Sequence, residues 1–137
     1  MAFVIDASLV VAWLLPDENN RLAEYLMARL EFEDGFAADL LWHEVRNVLL
    51  VAARRGRIPA EKVNVLLHRL QATPLKNAGP GDSDEIVRLA QRWNLSGYDA
   101  AYLALAVATG LPFATDDKRL ALAAEGEGSP LIAIPSA

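Results

Sequence analysis

The sequence predicts an α/β fold with a mostly parallel sheet of about five strands. Short, continuous apolar runs, which are typical of strands covered on both faces, alternate with segments of helical periodicity. The chain has 137 residues, the size of one hydrophobic core, and contains no linker-like or low-complexity stretch. We therefore expect a single domain over residues 1–137.

Five segments are predicted to form the strands. Residues 3–5, 112–114 and 131–134 are apolar throughout and give the clearest signal. Residues 35–37 and 73–76 are weaker candidates, and their position between helical segments supports them.

Seven helices are predicted between and after these strands. Pro16, Gly56 and Gly110 mark three of their ends, as proline and glycine commonly do. The sixth helix is apolar almost all round, so we expect it to lie centrally. The predicted ranges are 8–15, 20–32, 40–55, 60–71, 84–93, 98–109 and 117–124.

Composition excludes several classes of protein. A hydrophobic fraction of 53% with 23% charged residues excludes a disordered chain, and no apolar run reaches the ~18–20 residues of a membrane helix. The absence of cysteine excludes disulfides and thiolate chemistry. The N-terminus lacks the basic start of a signal peptide. We therefore expect a cytoplasmic protein without membrane contact, and its net charge of −5 excludes binding of nucleic acid by a general basic surface.

Acidic residues stand where strands end and helices begin. Asp6 follows the first strand, Asp99 lies in the first turn of the sixth helix, and Asp116 and Asp117 follow the strand at 112–114. Asp6 and Asp99 could simply cap helices, and Asp117 could complement a helix dipole after a Thr115 cap. Glu44 is different, because helical spacing sets it into an apolar stripe where burial disfavours its charge.

If these carboxylates converge, something must offset their repulsion. Two carboxylates about 4 Å apart repel by about 4 kcal/mol at an effective dielectric of about 20. Hard divalent cations offset such repulsion, and Mg²⁺ or Mn²⁺ fits an all-oxygen site without cysteine or paired histidine. The chemistry to expect from such a site is phosphoryl or phosphodiester transfer by metal-activated water.

Four blocks of this sequence resemble the PIN-domain family, and more narrowly its VapC-type toxin ribonucleases. They occur in the family's order and spacing and span nearly the whole chain: residues 4–8, 43–49, 95–102 and 113–120. The resemblance implies a PIN-like fold, a three-layer α/β/α sandwich with a central parallel sheet of five strands. It also implies Mg²⁺- or Mn²⁺-dependent cleavage of RNA, a homodimer, and a cognate VapB-like antitoxin that blocks the site.

The resemblance also implies roles for individual residues. Asp6, Glu44, Asp99 and Asp117 match the family's acidic quartet of catalytic and metal-binding residues. Ser8 and Thr115 match its hydroxyl positions, Asn47 matches a polar position one turn after the glutamate, and Asp116 remains an alternative to Asp117 as the ligand.

Two other functions stay open on the sequence alone. A phosphatase or receiver domain also places an aspartate after its first strand, although the phosphatase pattern wants a second acid where this chain has Ser8. A non-catalytic partner-binding module would use the acids only as caps and contacts. The basic cluster at Arg54, Arg55 and Arg57 fits either a solvated helix end or contact with RNA phosphates, and Lys118–Arg119 is better placed for such contacts.

Overall fold

The computed structural model describes residues 2–135, which form seven helices and four strands. In chain order these are β1 (Ala2–Ile5), α1 (Ala7–Leu14), α2 (Arg21–Arg29), β2 (Asp34–Ala37), α3 (Leu41–Arg54), α4 (Lys62–Gln71), β3 (Lys76–Asn77), α5 (Ser83–Trp93), α6 (Gly97–Thr109), β4 (Phe113–Ala114) and α7 (Lys118–Gly126). None of the helices in this part of the chain is long and apolar enough to cross a membrane.

The strands form one parallel sheet in the order β3-β2-β1-β4. The pairs made by Val4 give the register of the three strands β2, β1 and β4: Val4 pairs with Phe36 of β2 on one side and with Phe113 of β4 on the other. All four strands run in the same direction, so their carboxyl ends lie along one edge of the sheet. The expected α/β class with a parallel sheet is confirmed.

The prediction of five strands is wrong, because the described residues contain four. At the expected fifth strand, only Leu131 pairs with Phe113, as an isolated parallel bridge. The Phe113 amide donates to the Pro130 carbonyl at 2.7 Å, and its carbonyl accepts from the Ile132 amide at 2.9 Å. Beyond Ile132 the apolar run forms no further ladder, and the chain reaches Pro135, which has no amide hydrogen to donate.

Helices cover both faces of the sheet at β1. Phe3, Val4 and Ile5 are all buried, although successive strand side chains point to opposite faces. Helices α1 to α4 pack against one another, and α6 packs against α5, α7 and β1. This burial fits the predicted three-layer sandwich.

Most helix boundaries lie within two residues of the predicted ones, but two elements differ more. Helix α2 ends at Arg29 and continues as turns, rather than as helix to Phe32. The third strand is Lys76–Asn77, at the end of the predicted range 73–76 and one residue beyond it. After it comes loop 78–82, mostly exposed, in which Gly79 and Gly81 adopt positive φ angles of 87° and 78°.

Candidate active site

An acidic pocket lies where the carboxyl ends of β1 and β4 meet the helices α1, α3, α6 and α7. Its volume is about 210 Å³, several times the ~30 Å³ that one water molecule occupies in the liquid. Its lining residues are Asp6, Ala7, Ser8, Val11, Glu44, Val48, Asp99, Tyr102 and Asp117. We call this cavity the acidic pocket below.

Asp6 is the most deeply buried carboxylate of the pocket, with 3% of its surface exposed. Burial raises its pKa from 3.8 to about 6, against the lowering effect of hydrogen bonds from Thr115, Ser8 and the Leu9 amide. Those bonds measure 2.5 Å to Oδ2 from the Thr115 hydroxyl, and 2.7 Å and 3.3 Å to Oδ1 from the Ser8 hydroxyl and the Leu9 amide. A carboxylate offers about four lone-pair directions, so Oδ2 keeps one for a further partner.

Two hydroxyl groups join the beginning of the chain to the segment after β4. The Ser8 hydroxyl donates to Asp6 and accepts from the Asp116 amide at 3.0 Å. The Thr115 hydroxyl donates to Asp6 and accepts from the Asp117 amide at 3.0 Å. These bonds hold the carboxylate of Asp6 in one orientation and fix the start of α7 beside it.

Asp117 caps α7 and lines the pocket at the same time. Its Oδ1 accepts from the amides of Arg119 and Leu120 at 2.9 Å and 3.1 Å. The neighbouring Asp116 is exposed and is not part of the pocket lining. Of the two adjacent acids, the structure therefore brings Asp117 to the other carboxylates.

Glu44 is half-buried at the wall that α3 contributes, and its partner is Tyr102. The buried Tyr102 hydroxyl donates to Glu44 Oε1 at 3.1 Å. Burial raises the pKa of Glu44, the Tyr102 hydrogen bond lowers it, and the charge of Asp99 raises it. The pKa of Tyr102 is itself raised by burial and by Glu44, so the phenol stays protonated and remains a donor.

Sequence reasoning gave Tyr102 no role, although a signal was present. Tyr102 follows Asp99 by three residues on α6, and residues at this spacing share a helix face. An aromatic hydroxyl on the face that carries a pocket acid is a natural donor to a second buried acid.

Asp99 enters the pocket from the first turn of α6. Helix α6 begins with the Ser96 hydroxyl, which accepts from the Asp99 amide at 3.0 Å. Burial and the charge of Asp117 raise the pKa of Asp99, and Arg119 lowers it. Arg119 lies near enough to act on Asp99, but its guanidinium donates to the Asn94 carbonyl at 2.5 Å.

The remaining predicted site residue lies outside the acidic pocket. Asn47 is exposed and lines the adjoining surface of α3, although it is one turn from Glu44. The structure thus brings together Asp6, Glu44, Asp99, Asp117 and Ser8 in the pocket lining, with Thr115 behind Asp6.

The donor set of the pocket suits a hard divalent cation. All four acids offer carboxylate oxygen, and three of them have raised pKa values because burial or a neighbouring acid opposes their charge. Within residues 2–135, no three histidine or acidic side chains are already arranged closely enough to hold a metal ion. The residues therefore fit a metal by chemistry, and binding would draw the carboxylates closer together.

Comparison with known proteins identifies the family. The sequence pattern of the PIN domain matches residues 3–126. This chain belongs to the PIN-domain family. The family expected from the sequence is therefore confirmed, and the phosphatase and receiver families are not the family of this chain.

Individual relatives agree with the PIN-domain assignment. "Ribonuclease VapC3" of Pyrobaculum aerophilum is 31% identical to this PIN domain over 125 residues, which are 88% of this chain and 93% of that protein. The crystal structure of PAE2754 from Pyrobaculum aerophilum has a TM-score of 0.72 at 24% identity and covers 90% of this chain and 79% of its own. That of FitAcB from Neisseria gonorrhoeae has a TM-score of 0.65 at 21% identity, covering 90% and 93%. The two solved structures share the fold.

Proposed function

We propose that this PIN domain is a Mg²⁺-dependent endoribonuclease of the VapC type, a toxin that hydrolyses RNA phosphodiester bonds. The observation that carries the proposal is that four acids far apart in the sequence line one pocket: Asp6, Glu44, Asp99 and Asp117. The 31% identity to a ribonuclease over most of both chains supports RNA as the substrate. We propose a single domain over residues 1–137.

We propose that the four carboxylates hold one or two Mg²⁺ ions, for which Mn²⁺ can substitute. Bound there, the cation would lower the pKa of a water molecule and stabilise the charge that develops on the leaving oxygen. Asp6 is the anchor, because three hydrogen bonds fix its orientation and leave part of Oδ2 open to a ligand. Asp117 lines the same pocket, and because its Oδ1 accepts from the α7 amides, its second oxygen is the one left for a cation.

The other residues of the pocket position the ligands. The Thr115 and Ser8 hydroxyls hold Asp6, and the Tyr102 hydroxyl holds Glu44. Such second contacts keep metal ligands in a productive orientation. The attacking water enters in line with the scissile bond, and the family resemblance implies products with 5′-phosphate and 3′-hydroxyl ends.

The resemblance also underlies our proposals on partners and location. We propose that the protein forms a homodimer in the cytoplasm and that a cognate VapB-like antitoxin neutralises it. Light scattering on the purified chain tests the homodimer. Co-purification with the product of a short adjacent gene tests the antitoxin.

The decisive experiment measures cleavage of a panel of structured RNAs. We expect cleavage with Mg²⁺ or Mn²⁺, none with EDTA, and a rate at least about 100-fold lower for Asp99→Asn, since carboxylate ligands bind the ion through their charge. Asp116→Asn and Asp117→Asn, measured side by side, decide between the adjacent acids: only Asp117→Asn should lose activity. If Asp99→Asn cleaves as fast as the unaltered protein, or EDTA has no effect, the nuclease proposal is wrong and a partner-binding module becomes the better explanation.

A further inference from the structure

A groove continues from the acidic pocket along the surface of α3. It has a volume of about 260 Å³, and its lining residues are Asn47, Val48, Val51, Ala52, Arg55 and Arg57. Val48 lines both the acidic pocket and this groove. The two cavities are therefore adjoining parts of one surface, and we call the second one the α3 groove.

One face of α3 connects an acid of the acidic pocket with a cation of the α3 groove. Glu44, Val48, Val51 and Arg55 are separated by four, three and four residues, so they lie in one stripe along the helix. A rise of about 1.5 Å per residue puts positions 44 and 55 about 16 Å apart along the helix axis. A ligand at the acidic pocket can therefore extend along the stripe to reach Arg55.

The two arginines of the groove differ in their partners. The guanidinium of Arg57 binds Asp17 through Nε at 3.1 Å and Nη2 at 3.0 Å, and lies 3.7 Å from Glu18. Arg55 is exposed, and its guanidinium forms no hydrogen bond or ion pair with any residue in the range 2–135. Arg55 thus presents its guanidinium to an external anion without first breaking an ion pair.

The distance between the two ends matches a short stretch of nucleic acid. Stacked nucleotides advance about 3.4 Å each and extended ones about twice as far, so about two to five nucleotides cover this separation. The floor of Val48, Val51 and Ala52 is apolar and suits the faces of unstacked bases, and the exposed Asn47 amide can donate and accept hydrogen bonds.

We propose that the α3 groove binds the RNA strand on one side of the scissile phosphate, with Arg55 bound to a phosphate about two to five nucleotides away. This inference rests on the proposed ribonuclease function. RNA is favoured over a protein segment because the groove opens directly from the cleavage site, and an RNA chain held there carries a negative charge at every nucleotide. Arg55 is then an RNA-binding residue, and takes no part in bond cleavage.

A matched pair of variants tests the proposal, Arg55→Ala against Arg54→Ala. Both arginines are exposed, both lie at the C-terminal end of α3, and each substitution removes one positive charge, but only Arg55 lines the groove. For a single-stranded RNA substrate, we expect Arg55→Ala to raise KM about tenfold with kcat unchanged. The slope of log KM against the logarithm of the salt concentration should also be smaller by about 0.7 for Arg55→Ala, because one phosphate contact is lost. Arg54→Ala should change KM less than about twofold.

Substrate length and charge locate the contact. With oligonucleotides extended by one nucleotide at a time on either side of the cleaved bond, affinity for the unaltered protein should rise at an extension of about two to five nucleotides on one side. The Arg55→Ala protein should lack that step. A neutral methylphosphonate at the same nucleotide should weaken binding to the unaltered protein about tenfold and leave Arg55→Ala unchanged.

The outcomes separate this inference from the function it rests on. If the unaltered protein cleaves no RNA, the proposed function fails and this inference fails with it. If the unaltered protein cleaves RNA but Arg55→Ala and Arg54→Ala have equal KM values and salt slopes, the inference alone is overturned. The groove would then be left for another occupant, such as a protein segment.

Discussion

Replacing Asp6 with asparagine should make the metal-free protein more stable at neutral pH. The reason is that burying the ionised carboxylate of Asp6 destabilises the folded state. Asp6 is 3% exposed and its folded pKa is about 6, against 3.8 in an unperturbed chain. A difference of about two pH units corresponds to about 3 kcal/mol. The folded state binds the proton more tightly, so the penalty is absent below about pH 3.8, grows up to about pH 6 and stays constant above it.

Asparagine removes the charge but must reuse the hydrogen bonds. Its carbonyl oxygen can still accept from Ser8 and the Leu9 amide, whereas its amide meets the Thr115 hydroxyl, which must now accept instead of donate. We allow about 1 kcal/mol for this rearrangement. The variant should therefore be about 2 kcal/mol more stable than the unaltered protein at pH 7.5, and about 1 kcal/mol less stable near pH 4.

Urea denaturation in EDTA at several pH values between 4 and 8 measures this difference. Asp116→Asn is the matched control, because the same chemical change at an exposed side chain should alter the free energy of unfolding by less than about 0.5 kcal/mol at every pH. A difference between Asp6→Asn and the unaltered protein that does not change from pH 4 to pH 8 would refute the reasoning, since burial of the ionised form would then not be the cause.

Three further predictions concern the pocket and one helix contact. Mn²⁺ at 100 times its dissociation constant should stabilise the unaltered protein by about 2.7 kcal/mol in thermal denaturation, and EDTA should reverse this. Tyr102→Phe should cost about 1 kcal/mol at pH 7.5 and reduce cleavage mostly at acidic pH, because Glu44 loses the hydrogen bond that lowers its pKa; a pH–rate profile with an unmoved acidic limb would contradict this. Gly126→Ala should cost about 1–3 kcal/mol by thermal denaturation, since its Cβ would lie 2.0 Å from the Trp93 ring, whereas Gly97→Ala, with no atom within 4 Å, should cost little.

Local patterns in the sequence predicted the helices and the first strand well, but not the edges of the sheet. Val4 and Ile5 form an apolar run and are buried in a central strand, where composition and burial agree. The run at 131–134 is also apolar throughout, yet only Leu131 makes a bridge. Pairing at an edge depends on where a neighbouring strand ends, and no local pattern encodes this.

The candidate site was predictable to a similar degree. The expectation that Asp6 and Asp99 approach one another came from their positions at element ends, and both line one pocket. Asn47 was expected from the family resemblance alone, and one turn from Glu44 it lines the α3 groove and not the acidic pocket. The bond between Tyr102 and Glu44 joins residues 58 positions apart, and such partners depend on how two helices pack.

The loop at 78–82 separates the two halves of the acidic quartet. The part of the chain before this loop contains Asp6 and Glu44, and the part after it contains Asp99 and Asp117. A protease cut between Pro80 and Gly81 would give two fragments, each carrying two of the four proposed metal ligands, and rejoining them requires β4 to pair with β1 again. Neither piece alone should therefore have the proposed nuclease activity, and reassociation of the two pieces should restore it.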